Sequence, residues 1–258
     1  MKAWKKLEHG LEEASRLEDP WVKRYLPDVT GVHDYTFANL DRFCMLYDVL
    51  DKHLPSNACV LDAGAGYGIQ AALFAEGGYR VFASDIYPPL PFFDLINIDY
   101  RRWNLEAELA PFQTASFDAI LLSQTIEHFT YSPKKPIEEL LRILKPGGWL
   151  LIDAPNVSSF HNIWRLMRGK TLHWSLKKHY LEQDPVVVDG IPYYDRHNHE
   201  YAKVDFEDIA EYFALDLIQC RYYSPLNSSK PAIVRSLARM RDVIPVWRKG
   251  IYGLFRKR

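Results

Sequence analysis

The chain has 258 residues, of which 48% are hydrophobic and 25% are charged, and its formal net charge is −1. This is the composition of a globular protein, and the length suffices for one large domain or for a domain with an inserted cap. The nearly balanced charge excludes an overall field that attracts nucleic acid. No stretch approaches the roughly 20 apolar residues that a membrane span needs.

Three cysteines, Cys44, Cys59 and Cys220, are scattered along the chain. Their odd number and their spacing fit neither a disulfide framework nor a metal site, which favours a reducing cytoplasm. The first residues are charged and contain no apolar core segment, so we expect no signal peptide.

Apolar patterning predicts helices that alternate with strands. We expect short helices in residues 1–35. Between residues 36 and 53 the apolar side chains recur at a helical spacing. The strand candidates are about 58–62, 79–85, 94–98, 117–122 and 148–153, and helical patterns lie between them at 67–77 and 136–144. Lys145-Pro146-Gly147-Gly148 ends the second of these helices and turns the chain into the fifth strand. The alternation predicts an α/β fold with a parallel sheet and helices on both faces.

The alternation stops between residues 155 and 204, a stretch that holds five of the nine histidines and many aromatic residues. It is too long for a simple loop in a compact domain, so we interpret it as an inserted lid over the cofactor crevice. After it, Asp205 is placed to cap a helix through Phe213, and 215–222 and 242–247 are further strand candidates.

The segment from Val60 to Gly68 carries most of the functional information. Val60 and Leu61 read as the end of a buried parallel strand, and Asp62 is followed by glycines at every second position, Gly64, Gly66 and Gly68. Because glycine has no Cβ, the backbone can turn sharply there and lie against a ligand. The helix that follows points its unpaired N–H groups back at the loop. The segment predicts a nucleotide-like cofactor site at the carboxyl end of a first strand.

Two classes of cofactor use such a turn. A dinucleotide fold normally shows G-x-G-x-x-G, whereas here the spacing is G-x-G-x-G with Asp62 ahead of it. A carboxylate beside a helix N-terminus suits a cationic ligand better than a pyrophosphate. Asp85 ends the second strand, where it can accept hydrogen bonds from ribose hydroxyls, a feature that both classes share.

Five segments, in order, resemble the class I S-adenosylmethionine-dependent methyltransferases of the type 11/12-like group. Asp62 to Gly68 resembles the loop that holds the methionine part of the cofactor, and Asp85 matches the acid that binds the ribose. Asn104 and Leu105 lie where the family contacts adenine. Ser123 to His128 resembles the strand end beside the sulfonium, and Leu144 to Gly148 the family's turn before strand five.

The resemblance implies S-adenosyl-L-methionine as cofactor and a Rossmann-like, seven-stranded, mostly parallel sheet. It implies that the cofactor is bound by Asp62, Gly64, Gly66, Gly68, Asp85, Ile86, Asn104, Leu105 and Gln124. The implied organisation is an N-terminal helical cap at 1–55, a cofactor-binding core at 56–154, the lid at 155–204, and the rest of the core with a basic tail at 205–258.

A second resemblance concerns the acceptor. His197 to Tyr201, followed by Val204 to Ile209, is similar to a segment of bacterial methyltransferases that act on small molecules, lipids or cell-surface sugars, and Arg241 to Ile244 resembles the closing strand of such chains. It implies methylation of a hydroxyl on a small molecule, a sugar or a lipid-linked glycan.

Methyl transfer from a sulfonium is an in-line displacement, and a hydroxyl acceptor must also lose a proton to a base. Histidine suits that role because it titrates near neutral pH. His128, His197 and His199 are candidate bases, and the catalytic residues we predict are His128, His199 and Glu127. Each also has a purely structural interpretation, because Glu127 and His128 can cap the next helix and His199 can pin the lid to the sheet.

Metal binding is a separate question. The ubiquinone-pathway O-methyltransferases show E-x-x-E-H after this strand, with the acids and the histidine proposed as metal ligands. Here Gln124 stands at the first position, which removes a charged ligand, and divalent cations prefer carboxylates. The sequence therefore predicts no metal.

The basic C-terminal tail, 247–258, mixes aromatic and cationic side chains. Such a segment can lie on an anionic membrane surface, although it is more typical of a frayed, solvated terminus.

Three other functions stay open. A nicotinamide-dependent oxidoreductase would share Asp85 but not the spacing at Asp62 or the turn at Pro146. A methyltransferase-like module could bind the cofactor without catalysis. A nucleic-acid methyltransferase is disfavoured, because the sequence has no Asn-Pro-Pro-Tyr type motif and its basic residues cluster in the tail.

Overall fold

The computed structural model describes residues 29–87, 89, 93, 98–172, 175–188, 190–194, 196–225 and 232–258. The helices are α1 (Val29–Asp51), α2 (Ile69–Glu76), α3 (Lys134–Ile143), α4 (Phe160–Met167), α5 (Lys203–Tyr212) and α6 (Ala232–Arg241). The strands are β1 (Cys59–Ala63), β2 (Arg80–Asp85), β3 (Asp99–Arg102), β4 (Phe117–Ser123), β5 (Leu144–Pro155), β6 (Val186–Val188), β7 (Ile191–Tyr193), β8 (Leu215–Tyr223) and β9 (Gly250–Lys257). Short helical turns cover Ile126–His128, Lys177–Leu181 and Pro245–Trp247.

Seven of the strands form one sheet in the order β3-β2-β1-β4-β5-β9-β8. The five strands from β3 to β5 are parallel, and β9 runs antiparallel between β5 and β8. The order of connection reverses between β1 and β4, which opens a crevice at the carboxyl ends of these two strands. The predicted seven-stranded, mostly parallel sheet is confirmed.

Both faces of the sheet are covered by apolar packing. Val60 of β1 belongs to a core with α1 and α2, whereas its neighbour Leu61 belongs to a core with α3 and α5. The alternation follows from the two-residue period of a strand. A strand that is buried on both faces reads as an apolar run, which is why β1, β2, β4 and β5 were visible in the sequence.

The third strand is displaced from its predicted position. The sequence placed it at 94–98, of which 94–97 lie outside the described residues, and β3 comprises Asp99–Arg102. Its sequence is DYRR, and most of its side chains are exposed at the edge of the sheet. Apolar patterning therefore points to buried Ile98 just before the strand rather than to the strand itself.

The prediction of a closing strand at 242–247 is wrong. Arg241 ends α6, and Pro245–Trp247 is a helical turn that leads into β9. The segment interpreted as a solvated or membrane-lying tail forms β9, with Ile251, Leu254 and Phe255 fully buried. Both interpretations of the tail's conformation are therefore corrected.

The cations at the end of β9 contact the rest of the fold. Lys257 Nζ donates to the carbonyls of Leu141 and Leu144 at 2.7 and 2.8 Å, at the C-terminal end of α3. The Arg256 guanidinium lies 5.5 Å from the Trp149 ring centroid. A cation at a helix C-terminus is favourable because the last carbonyls of a helix have no partner within it.

The long segment between β5 and α5 contains α4, the turn at Lys177–Leu181 and the β6–β7 hairpin. The Asp205 carboxylate accepts a 2.6 Å hydrogen bond from the N–H of Ala202, so it caps α5 from within the first turn. The predicted N-terminal helices before residue 29 lie outside the described residues. Within the described part of the chain, no helix is long and apolar enough to cross a bilayer.

A pair of substitutions on β9 tests its place in the sheet. Phe255→Ala should lower the free energy of unfolding by about 3–5 kcal/mol, because it empties a buried site, whereas Arg256→Ala on the exposed face should cost less than about 1 kcal/mol. Urea unfolding followed by circular dichroism measures both. Equally small effects would mean that the segment is solvated after all.

Candidate functional site

The loop after β1 adopts a conformation that requires glycine. Gly64, Gly66 and Gly68 have φ of +74°, +51° and +71°, in the left-handed region. A Cβ on Gly64 would also collide with the side chain of Thr125. The N–H groups of Gly64 and Ala65 donate to the carbonyl of Ser84, at 2.8 and 3.0 Å, so the loop is fixed against the end of β2.

Two buried carboxylates face this loop. One Asp85 oxygen accepts from Gly66 N–H at 2.8 Å, and the other accepts from Ile86 N–H at 2.7 Å. Asp62 accepts from Ala71 N–H in the first turn of α2, at 3.1 Å. Burial raises the pKa of Asp62 to about 7, and burial also raises the pKa of Asp85. The loop therefore holds two acids whose ionised forms a nearby cation would stabilise.

A cavity of about 250 Å³ opens beside the loop at the carboxyl ends of the strands. Seven of the nine predicted cofactor residues line it, namely Gly64, Gly66, Asp85, Ile86, Asn104, Leu105 and Gln124. His128 lines it as well. Sequence reasoning missed the remaining lining residues, which are Tyr87, Glu106, Thr125, Phe129, Tyr193 and Tyr194.

Tyr193 comes from the β6–β7 hairpin and accepts a 2.7 Å hydrogen bond from the Asn104 side-chain amide. No motif marks this tyrosine, because its position depends on how the segment after β5 folds back over the sheet. The contact shows that this segment closes one side of the cavity.

A second cavity of about 150 Å³ adjoins the first. Both are lined by Gly64, Gly66 and Gln124, so together they form one groove that crosses the glycine loop. Asp62, which is absent from the larger cavity, lines the smaller one together with Arg42 of α1. Gly68 lines neither cavity and acts as the N-cap residue of α2.

A buried polar cluster lies behind the smaller cavity. Asp153 of β5 accepts hydrogen bonds from Tyr223 OH at 2.6 Å and from the Gln124 side-chain amide at 3.0 Å. An Arg42 nitrogen is 3.7 Å from the same carboxylate, and Arg42 also donates to Tyr35 OH at 3.0 Å. The cluster holds Gln124 at φ +48°, a strained conformation for a residue other than glycine.

The sequence offered one sign of this cluster. Asp153 interrupts the apolar run of β5, and a carboxylate at the end of a buried strand could have been marked as a site residue. Arg42 and Tyr223 carry no such sign, since one lies on a helix among charged residues and the other ends a strand that joins the sheet through β9.

Glu127 is buried beside the larger cavity, with 1% of its surface exposed. Within the described part of the chain, neither of its carboxylate oxygens has a hydrogen-bond partner from another residue, and burial raises its pKa well above the usual value. Burial therefore favours the neutral form of this carboxyl group, which can donate a hydrogen bond.

The structure brings His128 together with His197 rather than with His199. The His128 and His197 rings are 4.9 Å apart in an edge-to-face arrangement, and His197 Nδ1 lies 3.7 Å from Glu200. The side chain of His199 is 60% exposed, 3.8 Å from Asp205, and lines neither cavity. The structural interpretation was that His199 pins the lid to the sheet, whereas the contact observed is with Asp205 of α5.

Three residues have the chemistry and proximity to hold a metal ion. The ligand atoms of Glu127, His128 and His197 all lie within 4.8 Å of one another. His197 supplies a donor that the comparison with E-x-x-E-H did not foresee, although the set still contains a single carboxylate. Two imidazoles and one carboxylate suit a transition metal better than magnesium or calcium, which prefer oxygen ligands.

The strand order and the glycine loop define a Rossmann-like fold with the antiparallel closing strand of class I methyltransferases. The chain belongs to the methyltransferase-domain family, whose profile matches residues 37–215. The predicted class is confirmed.

Curated relatives and solved structures agree with this class. Ubiquinone biosynthesis O-methyltransferases of Xanthomonas oryzae pv. oryzae and Xylella fastidiosa are each 35% identical to this chain, over 108 and 117 residues. The matches cover 39% and 42% of this chain and 44% and 47% of those proteins, so the chain spans less than half the length of these relatives.

Among solved structures, a SAM-dependent methyltransferase from Archaeoglobus fulgidus superposes with a TM-score of 0.55 at 14% identity, over 86% of this chain and 99% of that one. A 1,6-didemethyltoxoflavin-N1-methyltransferase from Burkholderia thailandensis, solved with S-adenosylhomocysteine, gives a TM-score of 0.52 at 17% identity, over 83% and 77%. At these identities the likeness shows the fold.

Titration with magnesium and calcium tests the prediction that no metal binds. With a single carboxylate among the three donors, we expect no binding tighter than on the order of 10 μM, as measured by calorimetry on chelator-treated protein. Tight binding that is lost in Glu127→Gln and kept in Glu138→Gln, a change at an exposed acid, would contradict it.

Proposed function

We propose that this protein transfers the methyl group of S-adenosyl-L-methionine to a hydroxyl of a small-molecule, sugar or lipid-linked acceptor. The observation that carries the proposal is the groove across the glycine loop, with Asp85 at one cavity and Asp62 and Arg42 at the other. The names of the curated O-methyltransferases support an oxygen acceptor, and the family supports the reaction.

The larger cavity suits the nucleoside of the cofactor. Asp85 Oδ1 accepts from the N–H groups of Ile86 and Tyr87, whereas Oδ2 accepts from that of Gly66. Oδ2 keeps a second acceptor position, which can take a hydrogen bond from a ribose hydroxyl. Ile86 adjoins that acid, and Asn104 and Leu105 provide an amide and an apolar surface for adenine.

The smaller cavity suits the amino-acid end. Arg42 is 4% exposed, and its Nε has no hydrogen-bond partner among the residues that the structure describes. Its guanidinium can bind the carboxylate of the methionine moiety. Asp62 lines the same cavity and can attract the positively charged groups of the cofactor. Gln124 borders both cavities, so it can lie beside the transferred methyl group. Gly68 shapes the loop as the N-cap residue of α2.

The reaction then needs alignment and one proton transfer. Bound S-adenosylmethionine would supply a methyl group on a positively charged sulfur, and transfer of that methyl to the acceptor oxygen would leave a neutral thioether. The imidazole of His128 would take up the proton of the acceptor hydroxyl. His197 lies next to His128 and can stabilise the resulting charge through Glu200. Buried Glu127 acts as a positioning group.

The inserted segment is proposed to act as the lid. Asn198 supports this role, because its backbone N–H donates to the Glu127 carbonyl at 2.8 Å and its side-chain amide donates to the His128 carbonyl at 3.2 Å. We keep the division into a cap at 1–55, a core at 56–154 and 205–258, and a lid at 155–204.

Two further parts of the proposal concern location and partners. Free thiols at Cys44, Cys59 and Cys220 support a cytoplasmic location. The near-neutral charge of the whole chain supports a small acceptor rather than nucleic acid.

The first test is cofactor affinity. Asp85→Ala should weaken S-adenosylmethionine binding by about 1–3 kcal/mol through lost charge-assisted hydrogen bonds. Asp99→Ala, at the exposed start of β3, is the matched control and should bind as the unmodified protein does. Calorimetry measures the affinity of both variants. Unchanged affinity in Asp85→Ala, or a heat of binding with NADH and none with S-adenosylmethionine, would contradict the cofactor assignment.

The second test concerns the base. With catechol as a hydroxyl probe, His128→Gln should lower kcat by about 10²–10⁴-fold while cofactor affinity stays within a few-fold, and His199→Gln should leave kcat unchanged. Product formation is measured with isotopically labelled cofactor. A full loss in His199→Gln with none in His128→Gln would reverse the assignment. Cofactor binding without turnover of any hydroxyl acceptor would favour the non-catalytic module.

A further inference from the structure

A group of exposed apolar side chains lies on α4, at the end of α6 and on the segment between α6 and β9. Trp164 and Met167 of α4 are 49% and 64% exposed, and Met240 and Val243 are 72% and 74% exposed. We call the full set the apolar face, and it comprises Trp164, Leu166, Met167, Met240, Val243, Ile244 and Val246. Water-facing side chains of this size are costly to keep unless a partner covers them.

The two parts of the apolar face touch each other. The Phe160 ring at the start of α4 is 5.6 Å from the Trp247 ring and stacks on Trp164 at 6.4 Å. The Asn156 side-chain amide donates to the carbonyls of Val246 and Arg248 at 2.8 and 2.7 Å. These contacts join α4 to the segment before β9, although the two are some 80 residues apart in the chain.

The charge around this surface is strongly one-sided. Residues 156–181 hold five lysines and arginines and no acid, and residues 232–249 hold five more with one acid, Asp242. Asp242 pairs with Arg241 at 2.6 Å. Since the whole chain has a net charge of −1, these two segments are much more cationic than the rest of the sequence, and they favour an anionic partner.

The surface also lies at the end of the sheet where the groove is, next to the carboxyl ends of the parallel strands. β9 is antiparallel to β5, and its first residue, Gly250, pairs with Pro155 at the carboxyl end of β5. The segment before β9 and the helix after β5 consequently meet at the edge where the glycine loop lies.

We propose that the apolar face, with its surrounding cations, binds the surface of an anionic lipid bilayer. Cations draw such a protein to acidic headgroups, and aliphatic side chains with a tryptophan enter the interfacial region. Single-stranded nucleic acid would use cations with aromatic stacking platforms, and the apolar face is mainly aliphatic. This inference goes beyond the proposed reaction and does not depend on it, because bilayer binding is measured without an acceptor.

Vesicle flotation of the full chain tests the inference. The protein should float with vesicles of phosphatidylcholine and phosphatidylglycerol in equal parts and stay behind with phosphatidylcholine alone. The double change Arg168→Glu/Lys170→Glu should weaken partitioning by more than about tenfold, as expected for loss and reversal of charge at an anionic surface.

Two matched substitutions of exposed apolar side chains test whether vesicle binding depends on the apolar face or on any exposed apolar residue. Met240→Ser should weaken partitioning several-fold, whereas Leu109→Ser, in the loop between β3 and β4, should leave it unchanged, although both side chains are 72% exposed. Thermal unfolding and S-adenosylmethionine binding should be the same in both variants, which shows that the fold is intact.

Several results would overturn the inference. One is no flotation with the anionic vesicles, and another is an equal effect of the Met240 and Leu109 changes. Light scattering that shows a dimer dissociated by Met240→Ser, without vesicle binding, would assign the face to a second copy of the chain. Retention of an RNA oligonucleotide by a protein that ignores vesicles would assign it to nucleic acid.

Discussion

The groove depends on a set of acids that are buried near the carboxyl ends of the parallel strands. Asp62, Asp85, Glu127 and Asp153 lie at or just beyond the ends of β1, β2, β4 and β5, and none is more than 8% exposed. Carboxylates that share a low-dielectric region disfavour one another's ionisation, and burial raises the pKa of the first three. Because folding raises the pKa of Asp62 from 3.8 to about 7, the folded state binds more protons and its stability falls as pH rises through that interval. A cationic ligand relieves this repulsion, whereas a pyrophosphate would increase it.

The backbone of the site is left-handed where it meets these acids, and at Gln124 this conformation is strained. Three glycines of the loop have positive φ, and so does Gln124, which is not a glycine. Gln124 is held from two sides, because its N–H donates to the Asp153 carbonyl at 3.0 Å and its side chain donates to the Asp153 carboxylate. Strained conformations persist where several interactions fix them. Asp153 therefore shapes the groove from behind without lining either cavity.

The parts of the fold that were predictable are those whose environment is written in local sequence. β1, β2 and β4 lie within one residue of their predicted bounds, because burial on both faces gives an apolar run. β3 was misplaced because an edge strand can be polar, and β9 was missed because three cations at its end masked the apolar run before them. The glycine loop and Asp85 were likewise legible, since backbone geometry demands them. Arg42, Asp153 and Tyr223 come together only after β8, β9 and β5 have paired, so local sequence could not reveal their contact. His197 and His199 are two residues apart, and no sequence pattern shows which of them faces His128.

The antiparallel strand β9 explains why the site has two differently built sides. In a wholly parallel sheet the segment that precedes a strand lies at the edge opposite to the cofactor loop. Reversing β9 brings its preceding segment, with Pro245–Trp247, to the same edge as the end of β5 and the start of α4. The loops after β1 and β2 form the polar side that holds charge, and the segments around β5 and β9 form an apolar, cationic side. One reversed strand thus separates a region suited to a charged cofactor from one suited to a lipid surface, on a single edge of the sheet.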